Sequence, residues 1–403
     1  MVEPTYKIYK YRWIVLAVFM LIMAAIEAMW ICFAPITSDA ASFYKISTLQ
    51  VGFLAMSFMV VYIPLSIPIA WMIDTYGYRK AVSIGAVIMG IAGLLRGIFG
   101  ASYMGVLLTT LLLGVAQPFM LNAISPLAAR WFPIQERATA SGLALVANFI
   151  GIALGQVLSP VLMLSYGIPG MLMIYGIFGA VSAILFLVFT RDAPPTPPCP
   201  PGKEARALML DGLKSMIKMK DIWILIVLFL ICMGIFNGIS TWIESIVQPR
   251  GMSITQAGNL GAALLVGGIV GAVILPALSD HYRRRKVFLL LGIACSIPGM
   301  IGIALAQTYG LMMVSIFMLG FFLVSLAPIG YQYGAEITYP SPEGTSNGLL
   351  NMAGQVSVVF IYAMDALKSA DGSFTNSLLF LAGLSILSVF LVTALKESTL
   401  MSA

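Results

Sequence analysis

Apolar residues gather along this chain into long blocks, separated by short polar clusters. A helix needs roughly 20 apolar residues to cross a bilayer. By that measure the blocks predict twelve spans, at about 11–36, 47–73, 81–100, 103–131, 137–165, 169–190, 221–249, 254–279, 286–306, 309–336, 344–367 and 373–395. Six precede residue 191 and six follow residue 220. The run Pro194-Pro195-Thr196-Pro197-Pro198-Cys199-Pro200-Pro201 cannot enter a helix and predicts an extended linker. The expected organisation is a bundle over 1–190, a cytoplasmic proline-rich linker over 191–220 and a second bundle over 221–403. Residues 208–219 read equally as disorder or as a short amphipathic helix on the membrane surface.

One polar cluster occurs twice. Asp74-Thr75-Tyr76-Gly77-Tyr78-Arg79-Lys80 joins two apolar blocks, and Asp280-His281-Tyr282-Arg283-Arg284-Arg285-Lys286 repeats its plan half a chain later. Asp opens both, Tyr stands two residues on, and a basic pair closes both. A cytoplasmic loop needs cations whatever its history. The matched Asp and the spacing need more, and they point to two pseudo-symmetric six-helix halves facing the same way. The second copy has Arg283 where the first has Gly77, so its turn is expected to differ.

Composition narrows the class. The 403 residues are 60% hydrophobic and 9% charged, against about a quarter charged in soluble domains. This excludes a soluble enzyme and predicts an all-α, multi-pass membrane protein whose solvent is the lipid bilayer. With both termini inside, eighteen of the 22 Lys and Arg fall on inner segments, which fixes the expected orientation. The net charge of +6 has that explanation and calls for no nucleic-acid partner. The four cysteines (Cys32, Cys199, Cys232, Cys295) form no CxxC, and His281 is the lone histidine. Metal ligation and His-based catalysis therefore have nothing to work with, and no cofactor or enzyme activity is expected. No Ser/His or paired-Asp arrangement falls in the spans.

Polar residues inside the apolar blocks are the candidate chemistry. Gln117, Gln355, Asn122, Asn148, Asn237 and Asn351 form a seam on spans of both halves. Each serves equally as a helix-to-helix hydrogen bond, but the set points to a site at membrane depth, as transporters have. Trp30 lies about 27 Å by helix rise from the inner boundary, at the interface or in an upper cavity. An indole face attracts a quaternary ammonium. Glu27 precedes Trp30 by three residues and shares its helical face. An acid at that depth is expected to pair with a cation, carry a coupling proton or ion, or bond structurally to a neighbouring helix. Glu244 and Asp365 fall near outer ends and are expected to be solvated. Glu336 and Glu343 flank the turn before span eleven as gate or capping groups. Gly151 with Gly155, and Gly267 with Gly271, have the spacing of close helix contacts.

Twelve spans, the six-plus-six duplication, the central linker and the D-x-x-G-x-R-K loop together resemble the major facilitator superfamily. The resemblance implies the major facilitator fold and a gating role for Asp74, Gly77, Arg79 and Lys80, with Asp280, Arg284 and Arg285 in the second copy. A closer resemblance is to the branch named after the feline leukaemia virus subgroup C receptor, whose animal members move choline and related amines. It rests on Ala28-Met29-Trp30, Val115-Ala116-Gln117-Pro118-Phe119 and Glu336-Ile337-Thr338-Tyr339-Pro340, and on Glu343-Gly344-Thr345-Ser346-Asn347-Gly348-Leu349-Leu350-Asn351. It implies that Trp30, Gln117 and Gln355 surround an ammonium group. Asn237, with Phe236 beside it, stands where the choline carriers have a Tyr, and Glu27 has no counterpart in them. The expectation is a monomeric cell-membrane transporter of a small organic cation or amine such as choline, secondary active or facilitative, working by alternating access. The alternatives are a carrier of another small metabolite, such as a vitamin or monocarboxylate, and a membrane receptor or channel.

Overall fold

The computed structural model describes residues 7–196, 198, 216–338 and 343–397. Cys199, Tyr339, Pro340, the side chain of Glu343 and most of the linker lie outside the described residues. All regular structure among the described residues is helical. The spans begin with Arg12–Ile31, Thr48–Tyr76, Tyr78–Ile98 and Tyr103–Leu121. The fifth and sixth run together as Ile134–Phe189, broken inside at Gly167, where φ is 70°. Six more follow, beginning at Lys220, Ile254, Arg285, Tyr309, Glu343 and Thr375. Among the described residues, the Gly167 break turns eleven apolar helical runs into twelve spans.

Several spans are discontinuous, which the apolar blocks do not reveal. The first stops at Ile31 and continues as a turn of 3-10 helix, Ala34–Ile36, and as Thr37–Tyr44. The fourth breaks before Ile124–Trp131, and the seventh at Trp242 before Ile243–Val247. The tenth breaks at Ser325 and the eleventh at Ser357. Spans one, four, seven and ten are the opening helices of four successive triplets. These four breaks therefore recur with a three-helix repeat, and the break in span eleven stands outside it.

Contacts divide the chain into two compact units. Unit 1 comprises Met1–Cys32, Ser42–Ile46 and Phe53–Ala207; unit 2 comprises Phe33–Ala41, Ser47–Gly52 and Leu208–Ala403. In unit 1 a Cβ on Gly151 would strike the Ala24 backbone, and one on Gly155 the Ala28 carbonyl, so spans one and five touch along their main chains. In unit 2 Gly267 and Gly271 meet Phe317 and Phe321 in the same way. Arg250 donates to the carbonyls of Ile303, Ala304 and Ala306, capping span nine where its last carbonyls lack helix partners.

Candidate functional site

The polar interior of unit 1 is built around Glu27, which is 2% exposed. Gln117 of span four donates from Nε2 to Glu27 Oε1 at 2.9 Å, and the Asn148 side chain of span five also hydrogen-bonds the carboxyl. Tyr62 of span two lies within electrostatic reach of Glu27. Its hydroxyl donates to Asn122 Oδ1 at 2.8 Å, and Asn122 Nδ2 donates to the Ser66 carbonyl at 3.0 Å. Spans four and five thus bond one acid on span one, and span two brings a hydroxyl within electrostatic reach. Every side chain that hydrogen-bonds this acid is neutral, and Gln117 Oε1 is buried without a hydrogen-bond partner among the described residues. A buried acceptor left unpaired is costly.

Trp30 is one turn from Glu27 and buried. Its Nε1 donates to the Ala55 carbonyl at 3.0 Å. The N–H is therefore committed to span two, and the ring face is what the indole has left to offer a cation. Asn237 and Phe236 are buried in unit 2, and Gln355 of the same unit is half-buried. Asn237 Nδ2 donates to Ser357 Oγ at 3.0 Å, at the break in span eleven. The structure therefore brings Glu27, Gln117 and Trp30 into one neighbourhood of unit 1, and places Asn237, Phe236 and Gln355 in unit 2. Tyr62 and Ser357 join these networks without having stood out in the sequence. Tyr and Ser occur throughout the apolar blocks, and spacing alone does not single them out.

Glu244 corrects an expectation. Position near a span end predicts solvation, yet the residue is 1% exposed. The break at Trp242 carries the chain into Ile243–Val247, and this short helix is buried within unit 2. Glu244 Oε2 accepts from the Ser38 backbone N–H at 3.1 Å and from its hydroxyl at 3.0 Å. Asp365, also expected in water, is half-buried and pairs with Lys368 at 3.0 Å.

The two matched loops dock differently in the two units. In unit 1 Gly77 has φ 88°, and any Cβ there would meet the Asp192 carboxylate, so the position needs glycine twice over. Asp192 takes the Arg79 backbone N–H at 3.3 Å and forms the ion pair with Arg130. Asp74 and Lys80 are exposed, and Arg130 is the cation that acts on Asp74 through space. Tyr78 donates to the Arg191 carbonyl at 2.6 Å and accepts from Trp131 Nε1 at 2.7 Å. In unit 2 Arg283 takes a left-handed φ of 53° and closes span eight. Arg284 and Asp280 are exposed. Arg285 is buried, pairs with Asp280 and with Glu336 Oε1 at 3.0 Å, and bonds Ser279 Oγ at 3.2 Å. The Lys286 backbone N–H donates to Glu397 at 3.1 Å, and Tyr333 to the Lys396 carbonyl at 2.7 Å.

In both units, then, the loop after the second helix is held by an acid that follows the sixth. Asp192 and Glu397 are the residues that sequence reading passed over. The available signal was an acid placed directly after a basic residue at the end of each half.

Comparison with known proteins places these features. Residues 13–362 match the Major Facilitator Superfamily model, and 245–399 match it again. A zebrafish (Danio rerio) protein, Solute carrier family 49 member A3, is 30% identical over 92% of this chain and 81% of its own length. The mouse (Mus musculus) Choline/ethanolamine transporter FLVCR1 is 30% identical over 87% of this chain and 68% of its own. A solved bacterial homolog of the human lysosomal transporter Spinster superposes with a TM-score of 0.72 over 96% of both chains, at 16% identity.

Proposed function

The chain belongs to the major facilitator superfamily and is a multi-pass membrane transporter of a small solute, and on that premise we propose that it carries a small organic cation of the choline or ethanolamine type by alternating access. The observation that carries this reading is the Glu27 carboxyl, at membrane depth, bonded among the described residues only by the neutral amides of Gln117 and Asn148. An acid in that setting is matched by a cationic ligand. Trp30, one turn away, adds a ring face, and Gln117 Oε1 adds an open acceptor for a ligand hydroxyl or N–H. Of the two arginines buried among the described residues, Arg285 is neutralised by Asp280 and Glu336, and Arg96 gives one N–H to the Met29 carbonyl at 2.7 Å.

The inner loops, with Asp74 and Arg130 in one unit and Asp280, Arg285 and Glu336 in the other, are read as the gates that stabilise one state against the other. The cell membrane is the proposed location, and the distribution of Lys and Arg supports both termini in the cytoplasm.

Uptake of labelled choline and ethanolamine into liposomes holding the purified protein tests the substrate class. Uptake is expected to saturate and to show counterflow. Trp30→Ala should weaken the amine about tenfold, equivalent to about 1.4 kcal/mol, and Trp30→Phe much less because a ring face remains. Gln117→Ala should raise KM. Transport of a monocarboxylate or vitamin that excess amine leaves untouched, or a silent Trp30→Ala, overturns the assignment.

A further inference from the structure

We propose that Glu27 is an exchange site at which one proton and one organic cation displace each other, so that the protein runs as an electroneutral proton–cation antiporter. The inference rests on the amine reading above and adds the coupling ion.

The argument begins with what surrounds the acid. Glu27 lies on Arg12–Ile31, which packs against the fifth and sixth spans, the fourth and the third. Span four presents Gln117, and the fifth presents Asn148. Tyr62 of span two is a titratable group in reach, and its hydroxyl is given to Asn122. Span three brings Arg96, whose Nη1 donates to the Met29 carbonyl. Arg12, on the same helix as Glu27, and Glu136 pair with each other at 3.0 Å. Among the described residues no cationic side chain forms an ion pair with Glu27. A lone charge this far from water is expensive, so the site is filled by one positive charge from elsewhere. A proton and an ammonium group are the two candidates, and one carboxyl cannot hold both at once.

The exchange balances atom by atom. On the side from which the cation arrives, the Glu27 carboxylic acid gives its proton to water. The carboxylate then pairs with the ammonium, and Gln117 Oε1 accepts from the ligand hydroxyl. On the other side the cation leaves and a proton from that side restores the acid. One proton moves against one monovalent cation, no bond of the ligand breaks and no net charge crosses.

Gln117 ties the two halves of this cycle. Its Nε2 already bonds Glu27, while its Oε1 has no partner among the described residues. The same amide therefore touches both the exchange group and the ligand.

Choline is the suitable probe, because its charge does not change with pH. The full-length protein is placed in liposomes that trap a pH dye, with the membrane potential clamped by potassium and valinomycin. An acid interior should drive choline accumulation, and each pulse of choline should make the interior more alkaline. Choline affinity should fall about tenfold for each pH unit below the range in which Glu27 titrates. Glu27→Gln should abolish the dye response and flatten the pH dependence, while Glu27→Asp, the folding control, retains both. Saturable choline uptake with a silent dye and pH-independent affinity overturns the exchange and leaves the amine reading intact. No binding or movement of any amine overturns both.

Discussion

Glu244 concentrates the residue-scale question, because a buried carboxyl accepts both the backbone N–H and the hydroxyl of Ser38. Glu244→Gln keeps an oxygen for these donors, whereas Glu244→Ala leaves both without their acceptor. An unmet buried donor costs about 1–3 kcal/mol. Glu244→Ala should therefore lower the thermal midpoint of detergent-purified protein far more than Glu244→Gln. Equal midpoints would remove the Ser38 bonds from the account.

Between elements, the two inner loops solve one problem with pairs of unequal worth. Arg130 and Asp192 are each about 40% exposed, and such pairs contribute roughly 0–1 kcal/mol. Arg285 and Glu336 are 4% and 8% exposed, and leaving one of two such charges alone costs about 3–5 kcal/mol. Glu336→Ala should therefore lower the thermal midpoint of detergent-purified protein far more than Asp192→Asn. Gln332 Nε2 also donates to Glu336 at 3.1 Å and would lose its acceptor too. Equal effects of the two substitutions would mean that burial does not set their worth. Gly77 and Arg283 show that a shared plan need not keep a shared turn: the glycine leaves room for Asp192, whereas the arginine closes a helix.

For the whole molecule, orientation follows from the distribution of cations and is open to direct measurement. Tyr76 is exposed in the inner loop after span two, and Gly372 lies in a loop before span twelve. In a background with Cys199 replaced by serine, Tyr76→Cys should react with an impermeant thiol reagent only after the membrane is opened. Gly372→Cys should react from outside intact cells. The reverse pattern would invert the topology and place the docked loops on the other face. The helix breaks belong to this scale as well. They fall in spans one, four, seven and ten, with a further one in span eleven, and the three-helix repeat of the first four is visible only once the helices are built.

The sequence by itself determined that the chain spans the membrane, how many times, and that it was duplicated. Each of those rests on local hydrophobicity or on spacing along the chain. It also marked Glu27, Trp30 and Gln117, because an acid, an indole and an amide stand out in an apolar block. Only the tertiary structure decided which of them meet. Glu27 and Gln117 are far apart in sequence and bond because spans one and four pack together. The burial of Glu244 depends on a helix break that hydropathy does not register. Asp192 and Glu397 gain their roles from loops that precede them by most of a unit. Hydrophobicity is read residue by residue, whereas a hydrogen bond between spans needs two helices in register, and packing alone sets that register.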